Sequence, residues 1–352
     1  MVSIAATVVK SGYHLDLNGL YRLICRHLPH GGLTSSRHQR KTESMTEQLS
    51  LFQTPGARTP EGAHPAGLFP GEADAGALDE LFRQSGRWRS RGRFLELLEF
   101  ISRLPAYSPL NGFLIHLQDP AATRVATPRM WARKYQRRLK PGARPIVILA
   151  PMSPVLFVFD IRDTEGPPLA PGAVQTPGSP ERLPPRILDT TLHNCRIQHI
   201  AVGETETLSP SAERAIRLTP ALRKKHAELG LEPNTRYLVL LDSGLSPEAK
   251  YGALILELSR IFCGHLGIDS DAWWLDRKDL DLERIEIEAA AVAYLVCRRK
   301  GLTAVSRGFL AECRENDREL PPFSLNAVFQ ASSHIEIMGR GPWKKPRKQG
   351  RY

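Results

Sequence analysis

The chain has 352 residues, with 48 Lys and Arg against 37 Asp and Glu and a formal net charge of +11. That length supports two modest domains, each with its own core. A hydrophobic content of 41%, with no run near the ~18 apolar residues a membrane helix needs, excludes a membrane span. Five scattered cysteines (Cys25, Cys195, Cys263, Cys297 and Cys313) contain no CxxC pair, which excludes a disulfide framework or cysteine zinc knuckle and points to a reducing cytoplasm.

In chain order, residues 1–44 hold six basic residues against two acidic ones and show no sustained period. The opening apolar stretch has no basic segment before it and no small-residue cleavage site, so no secretory signal is expected and a cytoplasmic location is. Met45 opens a more ordinary start and is expected to be the initiator. Gln48, Leu49, Ser50, Leu51 and Phe52 spell QLSLF, which resembles the pentapeptide by which bacterial replication and repair proteins dock on the sliding clamp. Two apolar side chains entering a groove, with Gln48 anchoring the polar side, supply a mechanism. Residues 53–76 are rich in Pro, Gly and Ala and lack the large apolar residues of a core, so 1–80 reads as a disordered extension and tether.

A basic domain is expected over 81–165. Leu95, Leu97, Leu98, Ile101 and Leu104 recur at helical spacing, and Ser108-Pro109 and Thr127-Pro128 each place a capping residue before a proline at the first helical position. The β-rich runs 145–149 and 155–161 flank a turn and predict a hairpin. No acid interrupts 120–159, while eight cations lie there. Arg124, Arg129, Arg133, Lys134, Arg137, Arg138 and Lys140, with Trp131 as a stacking ring, are therefore the candidate contacts to single-stranded DNA: cations follow phosphates and aromatic faces take bases. An Arg-rich helix is also often only a solvated face.

Seven prolines between 167 and 185 mark a linker over 166–187. A second domain is expected over 188–338. Strands are predicted at 197–202 and 237–241, a long helix from Ser246-Pro247 toward Gly264, another over 281–300, and two more near 306–315 and 323–338. The tail 339–352 is basic and expected to be disordered. The fold class is α+β: a small helical domain with a β-hairpin, then a mainly helical domain with a short sheet.

Two segments carry a family likeness. Tyr107-Ser-Pro-Leu-Asn-Gly-Phe-Leu-Ile, followed by Trp131 and the run KPGARPIVIL, resembles the N-terminal domain of ArdC-type antirestriction proteins, which implies single-stranded DNA binding and a bacterial or mobile-element source. YGALILELSRIFCGHLG at 251–267, with the helix containing Glu286, resembles the ImmA/IrrE group of zinc metallopeptidases, which implies a zincin-like second domain. In that family, H-E-x-x-H puts two imidazoles on one helical face with a glutamate base between them. This chain has Leu256-Glu257-Leu258-Ser259-Arg260 in that place. Leucine offers no lone pair, and arginine is a permanent cation.

What survives is Glu257, as a vestigial general base, and Glu286, as a vestigial ligand position. Arg260 is expected to pair with Glu257, Glu286 or both, standing where the zinc charge would be. The expectation is therefore a pseudoenzyme that holds no zinc and no other cofactor. It would be a nucleic-acid-associated binding or regulatory protein whose second domain recognises a regulatory protein partner of unknown identity. The alternative is an active zinc metallo-endopeptidase acting on such a regulator. Cys263 and His265, even with Glu286, are expected to pack and end a helix rather than hold an ion, because an i,i+2 spacing points around a helix.

Overall fold

A computed structural model describes residues 88, 90–150, 153–169, 182–206, 214–268, 274–310 and 319–343. The expected initiator Met45, the QLSLF motif, the tether and most of the basic tail lie outside the described residues. The architecture is α+β, with helices and small sheets, and no helix among the described residues is long and apolar enough to cross a membrane.

Helix α1 (Arg91–Ser102) buries Phe94, Leu95, Leu97, Leu98 and Ile101. Helices α2 (Pro109–Gln118) and α3 (Pro128–Tyr135) start as their sequences require: Ser108 accepts from the Asn111 N–H, and Thr127 accepts from the Met130 N–H, each ahead of a proline. A cap of this kind contributes about 1 kcal/mol. Strands β3 (Ile146–Ala150) and β4 (Ser153–Asp160) form the expected antiparallel hairpin, and β1 (Val125–Ala126) pairs with the far side of β4. The outer edge of β3 is closed by side-chain amides. Asn111 bonds the Leu149 N–H and C=O at 3.0 Å each, and Gln118 bonds those of Val147 at 2.9 and 2.8 Å. This satisfies backbone groups that an open edge would offer to other chains. A two-stranded ladder, β2 (Arg138–Leu139) with β5 (Thr164–Glu165), completes this region.

Beyond the proline-rich stretch, α4 (Ile187–Ile197) precedes β6 (Ile200–Thr205). The strand expected over 197–202 thus begins later, because the chain finishes a helix and turns at His199 with φ +60°. A three-stranded sheet follows, with β8 (Tyr237–Asp242) between β6, parallel, and β7 (Ala215–Arg217), antiparallel; the short helix α5 (Pro220–Lys225) lies between β7 and β8 in the chain. Helix α6 (Pro247–Phe262) packs on this sheet and on α7 (Leu282–Arg299), which also contacts α8 (Thr303–Phe309), α9 (Leu325–Met338) and α1. Helix α7 is enclosed around its circumference: Glu288, Ala289 and every residue from Ala291 to Cys297 are buried. Its alanines allow neighbouring helices to approach closely.

Residues from both sides of the 166–187 stretch contribute to one main core, which runs from Trp88 and α1 through α6 and α7 to Met338. Arg299 joins the two sides chemically. Its buried guanidinium donates to the carbonyls of Ile101, in the last turn of α1, and of Leu104, Pro105 and Tyr107 beyond it, and pairs with Glu336 on α9. A second, small cluster of Ala126, Trp131 and Phe159, with Tyr135, Leu139 and Phe157 around it, lies beneath α3 and β2.

Candidate functional site

The small cluster sorts the eight cations of 120–159 into two kinds. Helix α3 has room for one inward side chain, and Trp131 takes it: the ring is 0% exposed and its Nε1–H donates to the Phe159 carbonyl at 2.9 Å. Trp131 is therefore removed from the stacking role expected of it. Arg137 is also corrected. Helix α3 ends with Gln136 in the left-handed region at φ +54°, and this turn sends Arg137 inward, where its guanidinium donates to Thr164, Gly166 and Pro167. It clamps the chain beyond β5 and has no face for a phosphate.

Arg124 is half-buried, with one guanidinium nitrogen buried, and is not part of the exposed set; the remaining six cations point outward. Arg129, Arg133, Lys134, Arg138, Lys140 and Arg144 are exposed. Arg129, Arg133, Arg138 and Arg144 have no ion-pair partner among the described residues. The Lys140 ammonium donates to the Arg162 carbonyl at 2.8 Å, which anchors it while leaving donors for solvent or ligand. Half-buried Tyr135 lies near two cations, with the Arg124 guanidinium 5.9 Å and the Lys134 ammonium 5.4 Å from its ring centroid. Its ring packs at a tilt of 50° against Trp131, with centroids 5.0 Å apart. The acids the fold brings nearby are mostly engaged: Asp160 is fully buried and accepts from Arg162 and from the Thr123 and Arg124 N–H groups, and Asp119 pairs with Arg162. Burial alone would raise the Asp160 carboxyl, but these hydrogen bonds hold it below its ordinary value, so it stays ionised and neutralised within the fold. Glu165 faces Arg138 across the β2–β5 ladder. Six of the eight cations are thus exposed on the segments that pack over this small apolar cluster.

The substituted metal motif lies on α6. Glu257 is 1% exposed, and one of its carboxylate oxygens, 3.6 Å from Arg260, has no hydrogen-bond partner. Burial pushes its carboxyl up, and the Arg260 and Arg214 charges oppose that only in part. Arg260 thus pairs with Glu257. Glu286 does not join them: it is exposed on α7 and makes no contact to Arg260 among the described residues. Leu256 packs against the core.

Sequence reasoning missed a different constellation. Cys263, His265 and Glu288 are all buried, with potential ligand atoms within 4.8 Å of one another. They converge because Gly264, at φ +80°, breaks the helix between Cys263 and His265; a Cβ there would sit 2.0 Å from the Leu275 carbonyl oxygen. The acid that meets them is Glu288 rather than Glu286. The donor set nevertheless fits an ion poorly, because Glu288 is already filled: His265 Nε2 lies 2.8 Å away, Arg277 binds both carboxylate oxygens, and the Ser324 N–H donates at 2.7 Å. Burial would raise the Glu288 carboxyl, but these donors hold it low. Burial pushes the Cys263 thiol well up, away from the thiolate that metals prefer. Arg277 supplies the positive charge that an ion would supply.

No protein-family profile and no curated protein matches the chain. A solved structure similar to it is the metal-free crystal structure of the antirestriction protein ArdC from plasmid R388, at 13% identity and a TM-score of 0.30, covering 70% of this chain and 94% of that one. A similarity at that score carries no inference about function.

Proposed function

We propose that this chain is a non-catalytic nucleic-acid-associated binding protein that grips the phosphate backbone of single-stranded DNA with the face formed by α3, β2 and residues 140–144. The observation that supports this is the outward set Arg129, Arg133, Lys134, Arg138, Lys140 and Arg144, held over one small core, with Tyr135 beside Arg124 and Lys134. Cations at that density bind a polyanion through counterion release and carry no sequence preference, while a tyrosine face tolerates any base.

The remaining parts of the proposal follow from the sequence likeness. Residues 81–165 act as an ArdC-like module in an antirestriction or related mobile-element role. Residues 188–338 act as an ImmA/IrrE-like, zincin-like module whose degenerate H-E-x-x-H helix serves protein recognition rather than peptide hydrolysis. Leu256 and Arg260 supply no ligand, and the Glu257–Arg260 pair fills the charge position with protein. The QLSLF motif would recruit the whole to a sliding clamp.

Fluorescence anisotropy with an unstructured oligothymidylate tests the reading. The triple variant Arg129→Ala, Arg133→Ala, Arg138→Ala should bind at least tenfold more weakly at low salt while melting within a few degrees of the parent, because none of the three touches the core. Unchanged binding would overturn it.

A further inference from the structure

Helix α3 leaves one large apolar side chain outside. Met130 is 44% exposed, and among the described residues up to Leu169 no other large apolar side chain is exposed. A lone exposed methionine is ordinary on a protein surface. What sets this one apart is its place inside the cation set of α3. We infer that Met130 is the side chain with which the α3 face takes hold of nucleobases, and that it thereby selects a single strand over a duplex. The inference rests on that face binding phosphates.

The helix start fixes where Met130 stands. Thr127 Oγ1 accepts the Met130 N–H at 3.2 Å, and Trp131, the next residue, takes the inward position. At about 100° of rotation per residue, Met130 is then carried out of the core and onto the flank that Arg133 and Lys134 share one turn later. All three side chains are exposed, and so is Arg129 directly before them. Lys134 also links the methionine to half-buried Tyr135, since its ammonium lies 5.4 Å from that ring centroid.

Phosphate binding alone gives an apolar side chain no task here. The cations of α3 meet a duplex and a single strand with the same chemistry, because both offer a phosphate backbone. Base faces are what differ: in a duplex they are stacked on one another, whereas in a single strand they turn freely onto a protein surface. A thioether on an unbranched, flexible stem is polarisable and packs against aromatic rings with a modest gain. A strand whose phosphates are held by Arg133 and Lys134 brings its bases within reach of that stem. The contact follows any base, because it uses the ring face and no hydrogen bond.

Fluorescence anisotropy of the full chain tests this with three probes of equal length: an oligothymidylate, an abasic strand that keeps phosphates and sugars but has no bases, and a duplex. Met130→Gln keeps the length and helix preference of the side chain and removes its apolar tip. It should bind the oligothymidylate about threefold to tenfold more weakly, with the salt slope unchanged. Binding to the abasic strand and to the duplex should match the parent. Met130→Leu retains an apolar body and should keep the parent's affinity for the oligothymidylate. Both variants should melt with the parent, because the side chain is exposed.

Failure of the phosphate grip and failure of the base contact are distinguishable. Unchanged oligothymidylate binding in the Arg129→Ala, Arg133→Ala, Arg138→Ala variant would remove the phosphate grip and this inference with it. Where that variant binds weakly, the grip stands and Met130 is judged alone. Met130→Gln binding the oligothymidylate as the parent does, weakening all three probes equally, or being matched in its loss by Met130→Leu would each overturn the inference.

Discussion

Replacing Arg299 by alanine tests whether the two sides of the proline-rich stretch fold as one unit. The wild-type guanidinium pairs with Glu336 and serves the carbonyls of Ile101, Leu104, Pro105 and Tyr107, at 3.0, 3.2 and 3.3 Å for the first three. Arg299 is 8% exposed and Glu336 4%, so removal leaves an uncompensated buried carboxylate, at a cost of about 3–5 kcal/mol. The loss of four carbonyl partners at the end of α1 adds to this, though water entering the vacated space recovers part of it. In urea, a loss of about 4 kcal/mol moves the midpoint by roughly 1–2 M. Circular dichroism should show one transition, because α1 shares its core with α7 and α9. The double variant Arg299→Met, Glu336→Leu should recover most of the loss by removing both charges. A midpoint displaced by less than about 0.3 M in the alanine variant, or α1 and α2 melting apart from the rest, would refute the reasoning.

Three further outcomes are expected. Burial pushes the His334 imidazole down to about 4, so the unfolded chain binds more protons than the folded one between pH 6.5 and 4 and stability should fall as pH drops through that window; the whole effect is on the order of 3 kcal/mol, and His334→Phe should flatten the pH profile of the urea midpoint in that range. Elemental analysis of purified protein should find zinc well below one per chain; a tightly held equivalent would contradict the pseudoenzyme proposal, and its loss in Cys263→Ser would place it at the Cys263, His265 and Glu288 node. A peptide spanning residues 45–56 should bind a bacterial sliding clamp with micromolar affinity; equal binding by the Leu51→Ala, Phe52→Ala peptide would make the motif coincidence.

Much of the helical framework was legible because its signals are local. Ser108-Pro109, Thr127-Pro128, Ser246-Pro247 and Asp281 each announce a helix start, and each caps one. Helix α4 escaped notice because its cap, Arg186, makes no side-chain bond and two of its four buried residues, Thr191 and Asn194, are polar. Two-residue strands such as β1, β2 and β5 leave no period to read. The basic face was visible as a cluster of charge, but not which of its members were structural: a single inward position on an eight-residue helix claimed Trp131, and a left-handed Gln136 turned Arg137 into the fold. The buried node around Glu288 was hidden by an assumption of helical spacing across Cys263 and His265. Gly264, already readable as the helix stop, cancels that assumption.

The central claim is that the outward cations bind a nucleic-acid backbone, and the salt dependence of oligothymidylate binding tests it most directly. Engagement of four to six phosphates by Arg129, Arg133, Lys134, Arg138, Lys140 and Arg144 predicts that log K falls against log salt with a slope of about −3 to −4. The slope should flatten by about 2 when Arg129, Arg133 and Arg138 are replaced by alanine. A slope near zero in the parent protein, or one that the triple variant leaves unchanged, would contradict the account.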